Sequence, residues 1–208
     1  MISILDIGIG NTASVLNMVR RAGGDAKLSS SPEHVRGASA VILPGVGAFD
    51  HGMRKLNESG LLDALESEVI GNKLPFLGIC LGMQLLFEKS DEGQSPGLGW
   101  LAGTVTKFDF TSLGSEKRLK VPHMGWNCVQ DRDRIADESL SEQNRFYFVH
   151  SFHVNCKDES DVEWTANHGY EFPCAVRRGN IRGVQFHPEK SHRFGVSFFR
   201  KFIEDTYA

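Results

Sequence analysis

The sequence lacks the signals of a disulfide scaffold or a structural zinc site. Its four cysteines show no Cys-x-x-Cys spacing; they are Cys80, Cys128, Cys156 and Cys174. An excess of basic residues is also missing, since 23 Lys and Arg face 26 Asp and Glu, for a net charge of -3. A protein held on nucleic acid by phosphate contacts needs surplus cations, so that class is excluded.

Long apolar runs are missing as well. No stretch approaches the roughly 18 apolar residues of a membrane-spanning helix, and the N-terminal segment meets Asp6 without the basic region of a secretory signal. We therefore expect a cytoplasmic protein with no membrane association. No repeat and no Pro/Ser-rich linker divides the chain, so residues 1–208 are predicted to form one domain. The 40% hydrophobic content is enough for a full core.

The first half alternates apolar runs with segments of helical periodicity. Strands are predicted near the N-terminus and at 26–29, 40–43 and 74–79. Helices are predicted at 13–21, from residue 32, at 61–70 and at 81–88. Such alternation indicates an α/β fold in which helices flank a mostly parallel central sheet.

The second half has a different character. After a glycine-rich loop at 88–99, short β-type runs dominate 104–129 and 146–186, which predicts an added, smaller β-rich region. The charged stretch 131–145 is interpreted as a solvated excursion. Phe194, Phe198 and Phe202 recur every four residues, which predicts a C-terminal helix whose phenylalanines pack in the core.

Two weaker patterns are interpreted as structural. The turn Gly8-Ile9-Gly10-Asn11 resembles a phosphate-binding loop only in part, because a third glycine and a suitably placed acidic residue are missing. His150 and His153 lie three apart, a spacing that puts them on opposite faces of a strand. We therefore expect no metal site and no cofactor.

One motif carries the chemistry. Gly78-Ile79-Cys80-Leu81-Gly82 follows an apolar strand and precedes a helical segment, which is the setting of a nucleophile elbow. The flanking glycines permit a tight turn, and the helix N-terminus favours the thiolate. The backbone N–H of Leu81 is placed to face a developing oxyanion. A buried structural cysteine beside helix-packing glycines is the alternative.

A thiolate nucleophile needs a base and a group that orients it. His187-Pro188-Glu189 ends a strand-like run, and an i, i+2 pair in extended chain points to one side of the backbone. His187 is predicted to reach the thiol while Glu189 holds the other ring nitrogen. Together with the elbow, this tripeptide predicts a Cys-His-Glu triad.

The segments Gly78–Gln84 and Gln185–Ser191 resemble the class I, triad-type glutamine amidotransferases, whose fold is flavodoxin-like. The resemblance implies that Cys80 attacks the side-chain amide of glutamine, which forms a γ-glutamyl thioester and releases ammonia. It implies that His187 transfers the protons and that Glu189 orients His187. It also implies that Gln84 holds the amino-acid end of the substrate.

Further segments are similar to the glutaminase subunits of imidazole glycerol phosphate synthase, namely 6–11, 43–49, 122–127 and 147–151. This likeness implies an oxyanion hole of backbone groups at Gly45, Val46 and Leu81. It implies contacts from Glu92 and Ser151 to glutamine. It also places Asn11, Tyr147 and Lys190 toward a partner.

The partner implied is a (β/α)8 cyclase of histidine biosynthesis, which forms a heterodimer with the glutaminase and receives ammonia through a channel. The likeness covers the whole chain, so no fused synthase domain is expected. The β-branched Val46 suggests that the isolated chain is a poor glutaminase, because glycine would accept unusual backbone conformations more readily.

Three alternatives stay open. The run Ser191–Gly195 departs from the histidine-pathway pattern and resembles paralogues that supply ammonia for sugar amination in surface-polysaccharide synthesis. A non-catalytic binding module would be expected to lose part of the triad. A cysteine hydrolase of peptides or esters is disfavoured by Gln84 and by the partner-type loops.

Overall fold

A nine-stranded mixed sheet organises the computed structural model, which describes residues 1–111, 119–132 and 144–207. The strands are, in chain order, β1 (Ile2–Leu5), β2 (Ala26–Ser29), β3 (Ala40–Gly45), β4 (Phe76–Cys80), β5 (Lys89–Ser90), β6 (Gly103–Lys107), β7 (His123–Asp131), β8 (Arg145–His150), β9 (Phe152–Cys156), β10 (Val162–His168), β11 (Tyr170–Arg178) and β12 (Ile181–Val184). The helices are α1 (Thr12–Arg21), α2 (Pro32–Arg36), α3 (Phe49–Glu58), α4 (Leu62–Leu65), α5 (Leu81–Gln84) and α6 (His192–Tyr207).

The sheet has the order β2-β1-β3-β4-β12-β11-β10-β7-β8. Its first five strands are parallel, and the remaining neighbours pair antiparallel. The predicted α/β class is confirmed, and the β-rich second half turns out to extend the same sheet. A separate three-stranded sheet has the order β5-β6-β9.

Two apolar layers cover the sheet. On one face α1 and α6 bury Val15, Val19 and the phenylalanines of α6, of which Phe198 and Phe202 are only 4% exposed. The predicted packing role of that stripe is thereby confirmed. On the other face α3, α4 and α5 bury a second cluster around Phe49 and Leu56. Across the described ranges, no helix has the length and apolar character needed to cross a membrane.

Sequence periodicity missed one helix and overextended another. α3 was not predicted, because it begins at Phe49 after Ala48, whose side chain offers no N-cap hydrogen bond. α5 spans only 81–84, whereas a helix to residue 88 was expected. The helix predicted at 61–70 is α4 continued by a π-helical turn, Glu66–Gly71. Most of the expected charged excursion, residues 133–143, and residues 112–118 lie outside the described residues.

Two glycines let α5 start immediately above the sheet. A Cβ built on Gly82 would overlap the carbonyl oxygen of Leu43, and one on Gly78 would overlap the carbonyl oxygen of Gly82. The backbone of β4 therefore turns into α5 against β3 with no room for side chains. This close approach fixes the position of Cys80, which lies between the two glycines.

We predict that Gly82→Ala lowers the free energy of unfolding by about 3 kcal/mol or more, because the new methyl group overlaps rigid backbone. Urea denaturation followed by circular dichroism measures this. Gly37→Ala is the matched control, since Gly37 has φ -94° and its Cβ would lie 3.5 Å from the nearest atom. We expect the control to stay within about 1 kcal/mol of the wild type. Equal effects of the two substitutions would contradict the close-packed elbow.

Candidate active site

Cys80 occupies a strained turn at the end of β4. Its backbone has φ 55° and ψ -108°, which places a non-glycine residue in a sparsely populated region. The residue is 7% exposed. Strain of this kind persists only where the surrounding structure holds it, and here the approach of Gly78 and Gly82 to neighbouring backbone does so. The predicted nucleophile elbow matches this geometry.

His187 and Glu189 meet Cys80 through strand pairing. β12 runs parallel to β4, with Gly183 opposite Gly78 and Val184 opposite Ile79. The carboxyl ends of both strands therefore lie at the same sheet edge. His187 follows β12 by three residues, and Glu189 lies in the 3-10 turn Pro188–Lys190. The turn brings the two side chains together, whereas an extended chain was predicted from the sequence.

The hydrogen bond between His187 and Glu189 defines the imidazole tautomer. His187 Nδ1 lies 2.7 Å from Glu189 Oε1, and the two side chains are 2% and 4% exposed. A carboxylate oxygen accepts, so Nδ1 carries the proton and Nε2 is the basic nitrogen of the neutral ring. Nε2 is buried and makes no hydrogen bond of ordinary geometry within the described residues.

Opposing effects set the charge of His187. Burial lowers the pKa of His187. The Cys80 side chain and the Glu189 carboxylate raise it by more than burial lowers it, so that the pKa is about 9. The imidazolium form of His187 is therefore favoured at neutral pH. The site can hold a thiolate–imidazolium pair, which is the reactive form for nucleophilic attack by sulfur.

Backbone and hydroxyl contacts hold the turn that carries His187. Its N–H donates to the carbonyl oxygen of Tyr147 at 2.8 Å, and Ser191 Oγ donates to the carbonyl oxygen of His187 at 2.6 Å. Ser191 Oγ also accepts from the N–H of Tyr147 at 3.0 Å. Ser191, which is fully buried, thus joins β8 to the turn that carries His187. The sequence motif included Ser191, but its spacing gave no sign of this role.

A cavity of about 440 Å³ opens beside Cys80, within the range of small-molecule sites. Its lining comes from the end of β3, the elbow and the β8–β9 junction, and includes Val46, Gly47, Ala48, Cys80, Leu81, Gln84, Glu92, Pro122, Val149, His150, Ser151 and Phe152. The three residues expected to contact substrate, Gln84, Glu92 and Ser151, all lie on this wall.

Gln84 and Glu92 are held by bonds to the protein. Gln84 Nε2 donates to Phe152 O at 3.2 Å and to Gln185 Oε1 at 3.0 Å, so both of its N–H bonds point inward. Glu92 Oε2 accepts from the N–H of Phe49 at 2.9 Å, at the start of α3. The carboxylate is thereby anchored at the positive end of a ten-residue helix.

The expected oxyanion groups are only partly assembled. Gly45 lies opposite Cys80 in the β3–β4 register, where a Cβ would crowd that of Leu81 at 2.9 Å. The N–H of Val46, however, donates to the carbonyl oxygen of Ile9. That N–H is therefore directed away from an oxyanion in this conformation.

Of the three residues expected at a partner interface, Tyr147 and Lys190 adjoin the turn that carries His187. Asn11 is exposed and caps α1 by accepting from the N–H of Ser14 at 3.2 Å. Lys190 Nζ lies 5.9 Å from the centre of the Tyr147 ring. Tyr147 and Lys190 are joined to His187 by backbone hydrogen bonds, so these two residues are in direct contact with the turn that carries His187.

The interpretation of His150 and His153 needs correction. They belong to different strands, β8 and β9, which lie in different sheets, so strand alternation does not separate them. Both rings pack on Phe108, at centroid distances of 5.3 and 4.8 Å. Within the described part of the chain, no group of three or more His, Cys, Asp or Glu side chains has the geometry of a metal site.

Comparison with known families agrees with this geometry. Residues 3–205 match the family model described as Glutamine amidotransferase class-I. The chain therefore belongs to the class-I glutamine amidotransferase family, and it is an enzyme of that kind.

Curated relatives are similar over nearly their whole length. Imidazole glycerol phosphate synthase subunit HisH 2 of Pseudomonas aeruginosa is 48% identical, with 98% of this chain and 99% of the relative covered. HisH 2 of Methanococcus maripaludis is 46% identical, covering 99% and 100%. HisH of Leptospira borgpetersenii is 43% identical, covering 97% and 98%.

Solved structures show the same fold at lower identity. A glutamine amidotransferase crystal structure superimposes with a TM-score of 0.72 at 21% identity, covering 100% of this chain and 99% of the other. PurLQS from Thermotoga maritima gives a TM-score of 0.70 at 15% identity, covering 100% and 98%.

We predict that the pKa of His187, near 9 in the wild type, falls in Cys80→Ala, because the sulfur that stabilises the imidazolium is gone. NMR titration of the ring nitrogens measures it. Cys128→Ala, which alters a cysteine on β7, is the control and leaves the His187 titration unchanged. An unaltered titration in Cys80→Ala would contradict coupling between the sulfur and the imidazole.

Proposed function

We propose that this chain is the glutaminase subunit of an imidazole glycerol phosphate synthase and acts in the cytoplasm. It hydrolyses glutamine to glutamate and ammonia and passes the ammonia to a cyclase subunit. One observation carries the glutaminase assignment: Cys80, at φ 55°, lies beside a buried His187–Glu189 pair and opens onto the cavity. The relatives at 43–48% identity support the assignment to the synthase.

The first half-reaction acylates the cysteine. The Cys80 thiolate attacks the side-chain carbonyl carbon of glutamine, and the carbon–oxygen π electrons move to the oxygen. His187, which holds the proton from the thiol, gives it from Nε2 to the amide nitrogen as the carbon–nitrogen bond breaks. The products are ammonia and a γ-glutamyl thioester on Cys80.

The second half-reaction regenerates the enzyme. His187, now neutral, accepts a proton from water at Nε2, and the hydroxide formed attacks the thioester carbon. The carbon–sulfur bond breaks, the electron pair returns to sulfur, and glutamate leaves. Glu189 keeps Nδ1 protonated throughout, so that Nε2 remains the nitrogen that exchanges protons.

Polar groups on the cavity wall suit an amino acid substrate. Because both N–H bonds of Gln84 are donated to the protein, its Oε1 is the atom left to receive the substrate ammonium group. The Glu92 carboxylate adds negative charge for the same group. Ser151 offers a hydroxyl from the β8–β9 junction. We assign these three residues to binding glutamine.

We infer that the Val46 N–H keeps the isolated subunit in a low-activity state. Breaking its bond to Ile9 and rotating the peptide would direct this N–H toward the oxyanion, beside the N–H of Leu81. An oxyanion donor contributes about 3 to 4 kcal/mol to the transition state. We assign the trigger of this rotation to contact of the partner with the neighbouring loops. Glutamine is then consumed only when an acceptor subunit is present.

The partner surface follows from the need to keep ammonia out of water, where it is protonated and diluted. Exposed apolar side chains of Val46, Met124 and Trp126 lie close to the catalytic edge, with Tyr147 and Lys190 beside them. We assign this surface and Asn11 to a (β/α)8 cyclase subunit, in a heterodimer that encloses the path of the ammonia.

Two observations support a second candidate acceptor. Methanococcus maripaludis has two such subunits, and the chain is 46% identical to HisH 2 and 41% identical to HisH 1. The divergent segment Ser191–Gly195 also stacks His192 on Trp126, at 5.7 Å and 7° between planes. The alternative is therefore a paralogous subunit that supplies ammonia for sugar amination in surface-polysaccharide synthesis.

We predict that Cys80→Ala abolishes glutamine-dependent synthesis in the assembled complex, by at least about 1,000-fold, because the nucleophile is lost. Synthesis from added ammonium salt stays within about twofold of the wild type, since the acceptor subunit is untouched. Product formation is followed with glutamine and with ammonium as alternative nitrogen donors.

Cys128→Ala serves as the control and keeps both activities. Residual glutamine use by Cys80→Ala, or failure of ammonium to replace glutamine, would exclude the mechanism. Copurification from the native host distinguishes the two acceptors: a cyclase barrel supports the histidine pathway, and a synthase that aminates sugars supports the alternative.

We also predict that the isolated wild-type chain is a weak glutaminase and that Val46→Gly raises its basal rate about tenfold, because glycine accepts the rotated peptide more readily. A coupled assay for glutamate measures both chains without a partner. Val149→Ala trims another valine of the cavity wall and is the control, with no comparable rise. Full activity of the isolated wild-type chain would refute the low-activity state.

A further inference from the structure

We propose that Gln185 is a catalytic hydrogen-bond donor to the Cys80 sulfur, a role that rests on the proposed thiolate mechanism. Gln185 is fully buried, one residue beyond β12, and its backbone N–H is fixed on the carbonyl oxygen of Cys174 at 2.9 Å. Its side-chain Nε2 lies 3.6 Å from Cys80 Sγ, a normal distance for an N–H···S hydrogen bond.

The neighbouring contacts determine which end of this amide faces the sulfur. Gln84 lies near the carbonyl oxygen of Phe152, which can only accept, so the atom of Gln84 at 3.2 Å is its NH₂ group. The same NH₂ group lies 3.0 Å from the Gln185 amide, which must therefore present its oxygen to Gln84. The NH₂ group of Gln185 is left to point at Cys80.

A buried histidine pair extends this ordered chain of donors and acceptors. His150 Nδ1 lies 2.8 Å from Phe152 O and therefore donates to it, while His150 Nε2 accepts from His123 Nδ1 at 2.9 Å. His123 Nε2 in turn accepts from Asn127 Nδ2 at 3.2 Å.

Both rings are held in the neutral form that this chain requires. Burial lowers the pKa of His150 to about 3, and burial with the nearby His168 lowers the pKa of His123 to about 4. Each neutral ring then has one donor and one acceptor nitrogen, as the contacts need. The hydrogen bonds therefore run in a fixed sense, from Asn127 to Phe152, where Gln84 also donates.

An N–H donor of this kind acts in both half-reactions. It stabilises the thiolate before attack, because a hydrogen bond to an ionised acceptor is stronger than one to a neutral thiol. It also stabilises the sulfur when water attacks the thioester carbon, the carbon–sulfur bond breaks and the electron pair returns to sulfur. His187 transfers protons, whereas Gln185 stabilises the sulfur through its N–H dipole and transfers no proton.

The test measures the pH profile of alkylation of Cys80 by iodoacetamide, read from the mass of the Cys80 peptide after digestion. Alkylation consumes the thiolate, so its rate follows thiolate formation without glutamine or a partner. We expect Gln185→Met, which keeps the size but removes the donor, to shift the midpoint about one pH unit toward alkaline values. We also expect its glutamine turnover number to fall about tenfold.

A second substitution keeps the test decisive if Gln185→Met does not fold. Gln185→Glu has nearly the same shape and still accepts from Gln84, but it turns a negative oxygen toward the sulfur. Its alkylation midpoint should move at least as far in the alkaline direction. A shift below about half a pH unit in either folded variant would overturn the proposal.

Asn180→Leu is the structural control. Asn180 Nδ2 donates to Val69 O and Leu74 O, at 2.8 Å each, and its carbonyl oxygen accepts from Phe76 at the end of β4 opposite Cys80. It should lower stability without moving the alkylation profile. The proposed function would fail if the wild-type chain with its partner did not consume glutamine. That result is independent of the alkylation midpoints of the Gln185 variants, so the two failures can be distinguished.

Discussion

The parallel pairing of β4 with β12 is the constraint on which the site depends. It places Gly78 opposite Gly183 and Ile79 opposite Val184, so two segments far apart in sequence end at one sheet edge. The reactive side chains lie within a few residues of those strand ends. Cys80 ends β4, and Gln185 and His187 follow β12. The glycines at 78 and 82 make the approach close enough for side chains to interact, and the strained backbone of Cys80 results from that approach.

The pKa values of the buried histidines are shifted in opposite directions at different places around Cys80 and Gln84. Near Cys80 and Glu189 the pKa of His187 rises to about 9, because partners of opposite charge outweigh burial. At His123 and His150 burial dominates and lowers the pKa values to about 4 and about 3. The charged ring suits proton transfer. The neutral pair suits a directed chain of hydrogen bonds that ends on the carbonyl oxygen of Phe152, to which Gln84 also donates. Environment, and not residue type, divides these roles.

Sequence alone predicted the fold class, most of the parallel strands and the C-terminal helix, because these depend on local periodicity. It could not predict α3, which has no capping side chain, nor the joining of the β-rich half to the parallel sheet, which depends on long-range pairing. The predicted triad residues are brought together, since both motifs lie at strand ends. Contacts that depend on the folded arrangement of the chain could not be predicted from the sequence. They are the hydrogen bonds from Gln185 to Cys80, from Ser191 to His187 and from Val46 to Ile9.

The proposed mechanism depends on a covalent bond between the Cys80 sulfur and the glutamyl group. Rapid quenching of the complex during glutamine turnover, followed by peptide mass spectrometry, detects this bond. We expect a γ-glutamyl adduct on the peptide containing Cys80, absent from the peptides containing Cys128, Cys156 and Cys174. Turnover of glutamine with no adduct on Cys80, or with the adduct on another cysteine, would contradict it.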